Sequence, residues 1–208
     1  NNLKQAGFDA KLHTDAHGIF PTGGWGADWV GDPDAGFGPK QPGGWIYNVL
    51  PYIEQGALRE LGRGQSPTAK REQAVELLRS PIGVLNCPSR RPPQLYPYQG
   101  KSSLENVTPP LEVAKSDYVI NQLLSSKKSE IIIAEIQRDA GMSKTVLAGE
   151  KSLSAEHYDD GEGTGDGLSM YAGDSADVAR QASGHPVADS AADTLTPSRR
   201  SPPASWKC

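Results

Sequence analysis

The chain has 208 residues, the size of one ordinary domain, and its 23 Gly and 17 Pro reach about a fifth of the sequence against a usual share of about 12%, which predicts long irregular loops. A formal net charge of -4 lacks the broad basic surface that a phosphate backbone requires, so nucleic acid is excluded as an expected partner. Two cysteines, Cys87 and Cys208, exclude a multi-bridge disulfide scaffold, and no run of about 18 apolar residues is present to cross a membrane.

Residues 1–17, NNLKQAGFDAKLHTDAH, hold no Pro, and Leu3, Ala6 and Ala10 fall at helical spacing with Phe8 and Leu12 beside them. A helix is predicted, ended by Gly18 with Pro21 close behind. Residues 21–45 mix Gly and Pro with aromatics; they are too irregular for a regular element and too aromatic for a flexible linker, so an ordered loop is expected. Helical spacing returns over 45–62, with Pro51 at a first turn and Ile53, Ala57, Leu58 and Leu61 on one side. Ser66-Pro67 opens a third helical segment, TAKREQAVELLR, that Pro81 stops.

Residues 82–85 read as a short strand. Pro-rich stretches at 88–97 and 108–110 separate it from Tyr118-Val119-Ile120 and from two β-rich runs, IIIAEI at 131–136 and TVLAGE at 145–150, which are expected to pair. Beyond Asp159 the chain is Gly-rich and acidic, and beyond about 181 it becomes rich in Ala, Ser and Pro. The expected organisation is one soluble domain over 1–180 and a poorly ordered or aberrant tail over 181–208. The expected class is α+β: an N-terminal helix followed by a small, mainly antiparallel sheet with long loops.

Taken in order, NNLKQAGFDAKLHTDAHGIFP at 1–21, GGWIYNVLPYIEQGAL at 43–58, VLNCPSRRP at 84–92, KSDY at 115–118, AGEKSL at 148–153 and HYDDGEGTGDGLSMYAGD at 157–174 resemble the planctomycete pilin-like family of domain of unknown function 1559. The resemblance covers roughly residues 1–180. It implies a pilin-like fold, an upstream prepilin-type cleavage signal with an apolar stem helix, and a downstream processing motif of His, nine residues, then Asp-Gly. Neither occurs in these 208 residues, so the expectation is a chain that starts where the stem hands over to the domain and lacks the C-terminal motif. Residues 1–17 are then the polar end of the stem. The implied function is structural: a pseudopilin-like component of a type II secretion or type IV pilus-like filament or of the cell envelope. Its implied partners are pilin-like subunits or envelope proteins, with membrane attachment through the stem and an extracytoplasmic location. The alternative is an extracytoplasmic module that binds carbohydrate or another solute.

Four groups of residues have chemistry worth weighing. His13 and His17 lie four apart on the predicted helix, as two zinc ligands do in His-Glu-x-x-His sites. Here Asp15 falls at the third place of that motif and no third ligand is identified, so they are read as a solvated or helix-ending pair. Asp159, Asp160, Glu162 and Asp166 with their glycines are candidate Ca2+ ligands, since Ca2+ takes six to eight oxygens in flexible geometry. The run misses the EF-hand pattern and is read first as a solvated turn, and no other cofactor is expected. Trp25, Trp29, Phe37 and Trp45 are a candidate aromatic contact surface for sugar rings or protein, set against the commoner role of clamping their own loop to the core. Cys87 in NCPSRR has arginines beside it, yet no oxyanion donor or orienting carboxylate can be placed around it. The chain is read as non-catalytic.

Overall fold

The computed structural model describes residues 1–125, 136, 141, 145–181 and 189. Helix α1 runs Asn2–His17, and Gly18 ends it in the left-handed conformation (φ 76°), its N–H donating to the Thr14 carbonyl. Ala6, Asp9, Ala10, His13 and Thr14 form its buried stripe, while Lys4, Phe8, Lys11 and Asp15 face outward. The small Ala6 and Ala10 let the helix lie close against the domain.

The Gly/Pro loop is ordered by side chains that replace a backbone ladder. The Gln41 carboxamide is its hub, accepting from the Asp32 and Gly43 N–H groups and donating to the Asp32 and Gly36 carbonyls. At Gly31 a Cβ would sit 2.3 Å from the Tyr47 ring, so only glycine lets the loop lie flat on that ring.

Instead of one helix over 45–62 the chain makes α2 (Trp45–Val49), a 3-10 turn (Leu50–Ile53) and α3 (Gly56–Arg59). Pro51 cannot donate to the carbonyl four residues back and crowds that turn, and Glu54 breaks the path with φ 61°. Helix α4 (Pro67–Leu78) is as expected, with the Ser66 hydroxyl accepting from the Ala69 N–H.

The strand expected at 82–85 is instead a 3-10 turn, Gly83–Leu85. Its carbonyls are taken by scattered donors: Gly83 accepts from the Asn2 carboxamide and the Asn86 N–H, and Leu85 from the Asp117 N–H and the Ser116 hydroxyl. No ladder partner is left to hold an extended conformation. One strand formed inside the Pro-rich separator at 88–97, where Pro97 sits at the strand end: β1 (Leu95–Pro97) pairs antiparallel with β2 (Glu112–Ala114), just beyond the separator at 108–110. A second sheet has β3 (Tyr118–Asn121) at its centre, β4 (Ala148–Glu150) antiparallel and β5 (Ala179–Arg180) parallel, in the order β4-β3-β5. Apart from Ile136, the IIIAEI run lies outside the described residues, as does the tail apart from Gln181 and Asp189.

The class is therefore α+β. One apolar cluster reaches from Ala6 to Ala179 and includes Trp45, Ile46, Leu50, Leu78, Ile120 and Tyr171, all essentially without solvent exposure. Each such large side chain contributes about 1.5–3 kcal/mol by leaving water. Around this cluster the short strands and turns are fixed by charge.

Candidate functional site

Four segments that sequence reading separates, 86–91, 115–118, 148–152 and 161–167, meet in one buried cluster of charges. Arg91 is its centre. Its Nε donates to Asp117 Oδ1 at 2.8 Å, its Nη1 to Asp166 Oδ2 at 2.5 Å and its Nη2 to Asp166 Oδ1 at 3.2 Å. The fork geometry of guanidinium matches a carboxylate in this way, and the Tyr96 ring lies 4.7 Å from the same guanidinium. Lys151 donates to Asp166 Oδ1 at 2.6 Å and to the Asp177 carbonyl at 3.2 Å. Asp117 also accepts from the Cys87 N–H at 2.8 Å, which ties the 86–91 turn to β3.

Arg91, Asp117, Asp166 and Lys151 are all at most about 2% exposed, so none keeps its hydration and each depends on the others. Burial on its own raises the Asp166 carboxyl, but Lys151 and Arg91 outweigh it and its pKa is lowered. Burial pulls the Lys151 amine down, against Asp166 and Asp177. Next to them Lys115 donates to the Gly161 carbonyl at 2.8 Å and is lowered to about 8 by burial. Among the described residues Arg180 donates only to the carbonyls of Ala176, Ser152 and Gly165, and burial lowers it to about 10. Arg90 reaches Asp189 at 2.9 Å and Glu150 at 3.5 Å, and Asp189 also accepts from Tyr158 and from the Leu153 N–H. Every carboxylate in this cluster is held by cations or N–H donors. A carboxylate held ionised between two cations fastens the segments that carry them.

The sequence-predicted candidates scatter around this cluster. Asp166 belongs to it, buried against Arg91 and Lys151, whereas Asp159, Asp160 and Glu162 are exposed. Asp160 accepts from the Glu162 N–H at 2.8 Å and faces His157 Nδ1 at 3.0 Å, the pattern of an Asx turn. Among the described residues no three His, Cys, Asp or Glu side chains gather to hold a metal.

The aromatic candidates occupy three places. Trp25 and Trp29 form a half-exposed edge-to-face pair 4.9 Å apart, with the Trp25 indole donating to the Pro39 carbonyl. Phe37 stacks on His17 at 4.0 Å and lies 4.7 Å from the Arg59 guanidinium. Trp45 is buried in the core, its indole donating to the Val178 carbonyl at 2.8 Å.

His13 and His17 do share a face, ring centroids 4.7 Å apart. His13 is wholly buried beside the Ile19 carbonyl, and burial, then His17 and Arg59, lower it to about 4. A second cation at this place would meet the Arg59 guanidinium. Cys87 is a buried free thiol, 3.3 Å from the Ser89 hydroxyl.

Sequence reading missed Asp117, Lys115, Lys151, Asp177 and Arg180 as site residues. One signal was available. In LEVAKSDYVIN and LAGEKSL, charges interrupt runs of strand-forming apolar residues, and a charge inside a buried strand demands a partner.

A family model described as a protein of unknown function (DUF1559) matches residues 1–208. No curated protein and no solved structure matches the chain.

Proposed function

The chain belongs to the DUF1559 family of proteins of unknown function, and from that premise we propose that it is a non-catalytic, pilin-like structural subunit, held outside the cytoplasm by an apolar stem that continues α1 upstream. The observation that carries this reading is the match of the family model over residues 1–208, in a chain whose helix α1 packs Ala6 and Ala10 on the domain and turns Lys4, Phe8, Lys11 and Asp15 outward.

Two further features support the reading. The buried stripe of α1 is anchored at both ends, by the Asn2 bonds to Gly83 and Asn86 and by the His17 contact with Tyr52 at 2.8 Å, so the helix is a rigid handle on the domain. The charge cluster fastens the 86–91 turn and β4, the segments that α1 itself rests on. No described helix is long and apolar enough to cross a membrane.

The test is to express the gene from its genomic locus with its upstream coding region and then fractionate the cells. An outward-facing membrane protein, removed by protease added to intact cells and captured as cross-linked multimers through a cysteine placed at the exposed Phe8, is the expected result. A chain found only in the cytosol, protected from external protease, would overturn the proposal.

A further inference from the structure

Between α4 and the loop at residues 31–33 lies a cavity of about 210 Å3. Helix α4 gives it one face at the spacing i, i+3, i+4, i+7, i+10: Pro67, Lys70, Arg71, Ala74 and Leu77. The chemistry of that face changes along its length. Its N-terminal end carries two cations and the partial positive charge of the helix terminus. Its C-terminal end is aliphatic and is continued by Leu61.

The charged groups at the rim differ in how far they are already used. Lys70 is committed to Asp32 at 2.8 Å and Asp34 at 2.6 Å. Arg71 donates from Nη2 to the Glu105 carbonyl at 2.9 Å and has no carboxylate partner among the described residues. Asp32 Oδ1 accepts from Lys70 and from the Asp34 N–H, while its Oδ2 accepts nothing from the described residues. The rim thus offers one spare cation and one spare anionic oxygen above an apolar floor. Tyr47 also reaches the wall, but its ring is covered by Gly31 and by the Arg59 guanidinium at 4.4 Å, which leaves no aromatic face for a sugar. The volume is below the roughly 300–1,000 Å3 of drug-sized sites, so the room suits a single residue-sized molecule.

We propose that this cavity binds a free α-amino acid with an aliphatic side chain: its carboxylate on Arg71, its ammonium on Asp32 Oδ2 and its side chain against Leu61, Ala74 and Leu77. The site does not depend on the assembly reading above and can fail or hold without it. Isothermal titration with L-leucine, isovalerate, isoamylamine and glucose tests it. Saturable binding of leucine is expected, with the two half-charged analogues weaker by about tenfold or more, because each leaves one charged rim group unpaired. Glucose should not bind. Arg71→Gln keeps helix propensity at an exposed position and should weaken leucine by about tenfold or more. Ala74→Leu, which fills the floor, should abolish binding while the far-ultraviolet circular dichroism stays unchanged. No saturable heat at millimolar leucine, leucine binding undiminished in both variants, or isovalerate binding as tightly as leucine would each overturn the proposal.

Discussion

Asp166→Asn tests the charge cluster with almost no change in volume. Asp166 accepts three donated bonds, from Lys151, Arg91 Nη1 and Arg91 Nη2, and is 1% exposed. A carboxamide in its place turns an N–H2 group toward donors and leaves two buried cations without their shared counter-charge. Removing one partner of a buried pair costs about 3–5 kcal/mol, a large share of the roughly 5–15 kcal/mol that holds a typical domain folded. For a chain of this length that corresponds to a fall in Tm of roughly 6–20 °C. Urea unfolding followed by tryptophan fluorescence and far-ultraviolet circular dichroism measures it at pH 7.

The pH dependence supplies a second readout. Because the Asp166 carboxyl is lowered in the fold, its contribution is fully present above the unfolded value of 3.8 and is lost as pH falls through the folded value. The gap between the parent protein and Asp166→Asn should therefore narrow only in strong acid. Replacing Arg91, Asp166 and Lys151 together by apolar residues of similar size should cost less than Asp166→Asn alone, since it removes the unpaired charges. A loss below about 1 kcal/mol for Asp166→Asn at pH 7, the range of a solvated surface pair, would refute the reasoning.

Two other outcomes are expected. His13 is kept neutral in the fold and lowered to about 4, so the unfolded chain gains a proton that the folded one refuses as pH falls below 6.5. Stability should drop by about 2–3 kcal/mol between pH 7 and pH 4.5 through this group, and urea midpoints of His13→Gln should lose that part of the slope. Gly31→Ala should destabilise by about 1–3 kcal/mol, because its Cβ would sit 2.3 Å from the buried Tyr47 ring, and a Tm equal to the parent's would show that the loop lies elsewhere.

How much of this was legible differs from element to element. Helices α1 and α4 could be read directly, because their spacing, the stop at Gly18 and the Ser66 cap are local signals that agree with one another. The 45–62 segment was legible as helical but not as broken, since the break depends on Glu54 accepting a positive φ inside a packed turn. The β1–β2 pair and the parallel β5 were not legible: two or three residues carry too little periodicity, and the partner of each is set by distant chain. At the candidate site the acids near 160 and the aromatics of the loop drew attention because of their types. Their roles were decided by what stood opposite them.

The sequence by itself therefore determined the family, the α+β class, the N-terminal helix, and a loop too aromatic to be a linker. Only the tertiary structure decided that Arg91, Asp117, Lys151 and Asp166, spread over 75 residues from Arg91 to Asp166, form one buried unit. The reason is physical. Apolar periodicity is written along the chain, but the counter-charge that makes a buried ion tolerable is supplied by whichever segment folding brings within about 3 Å.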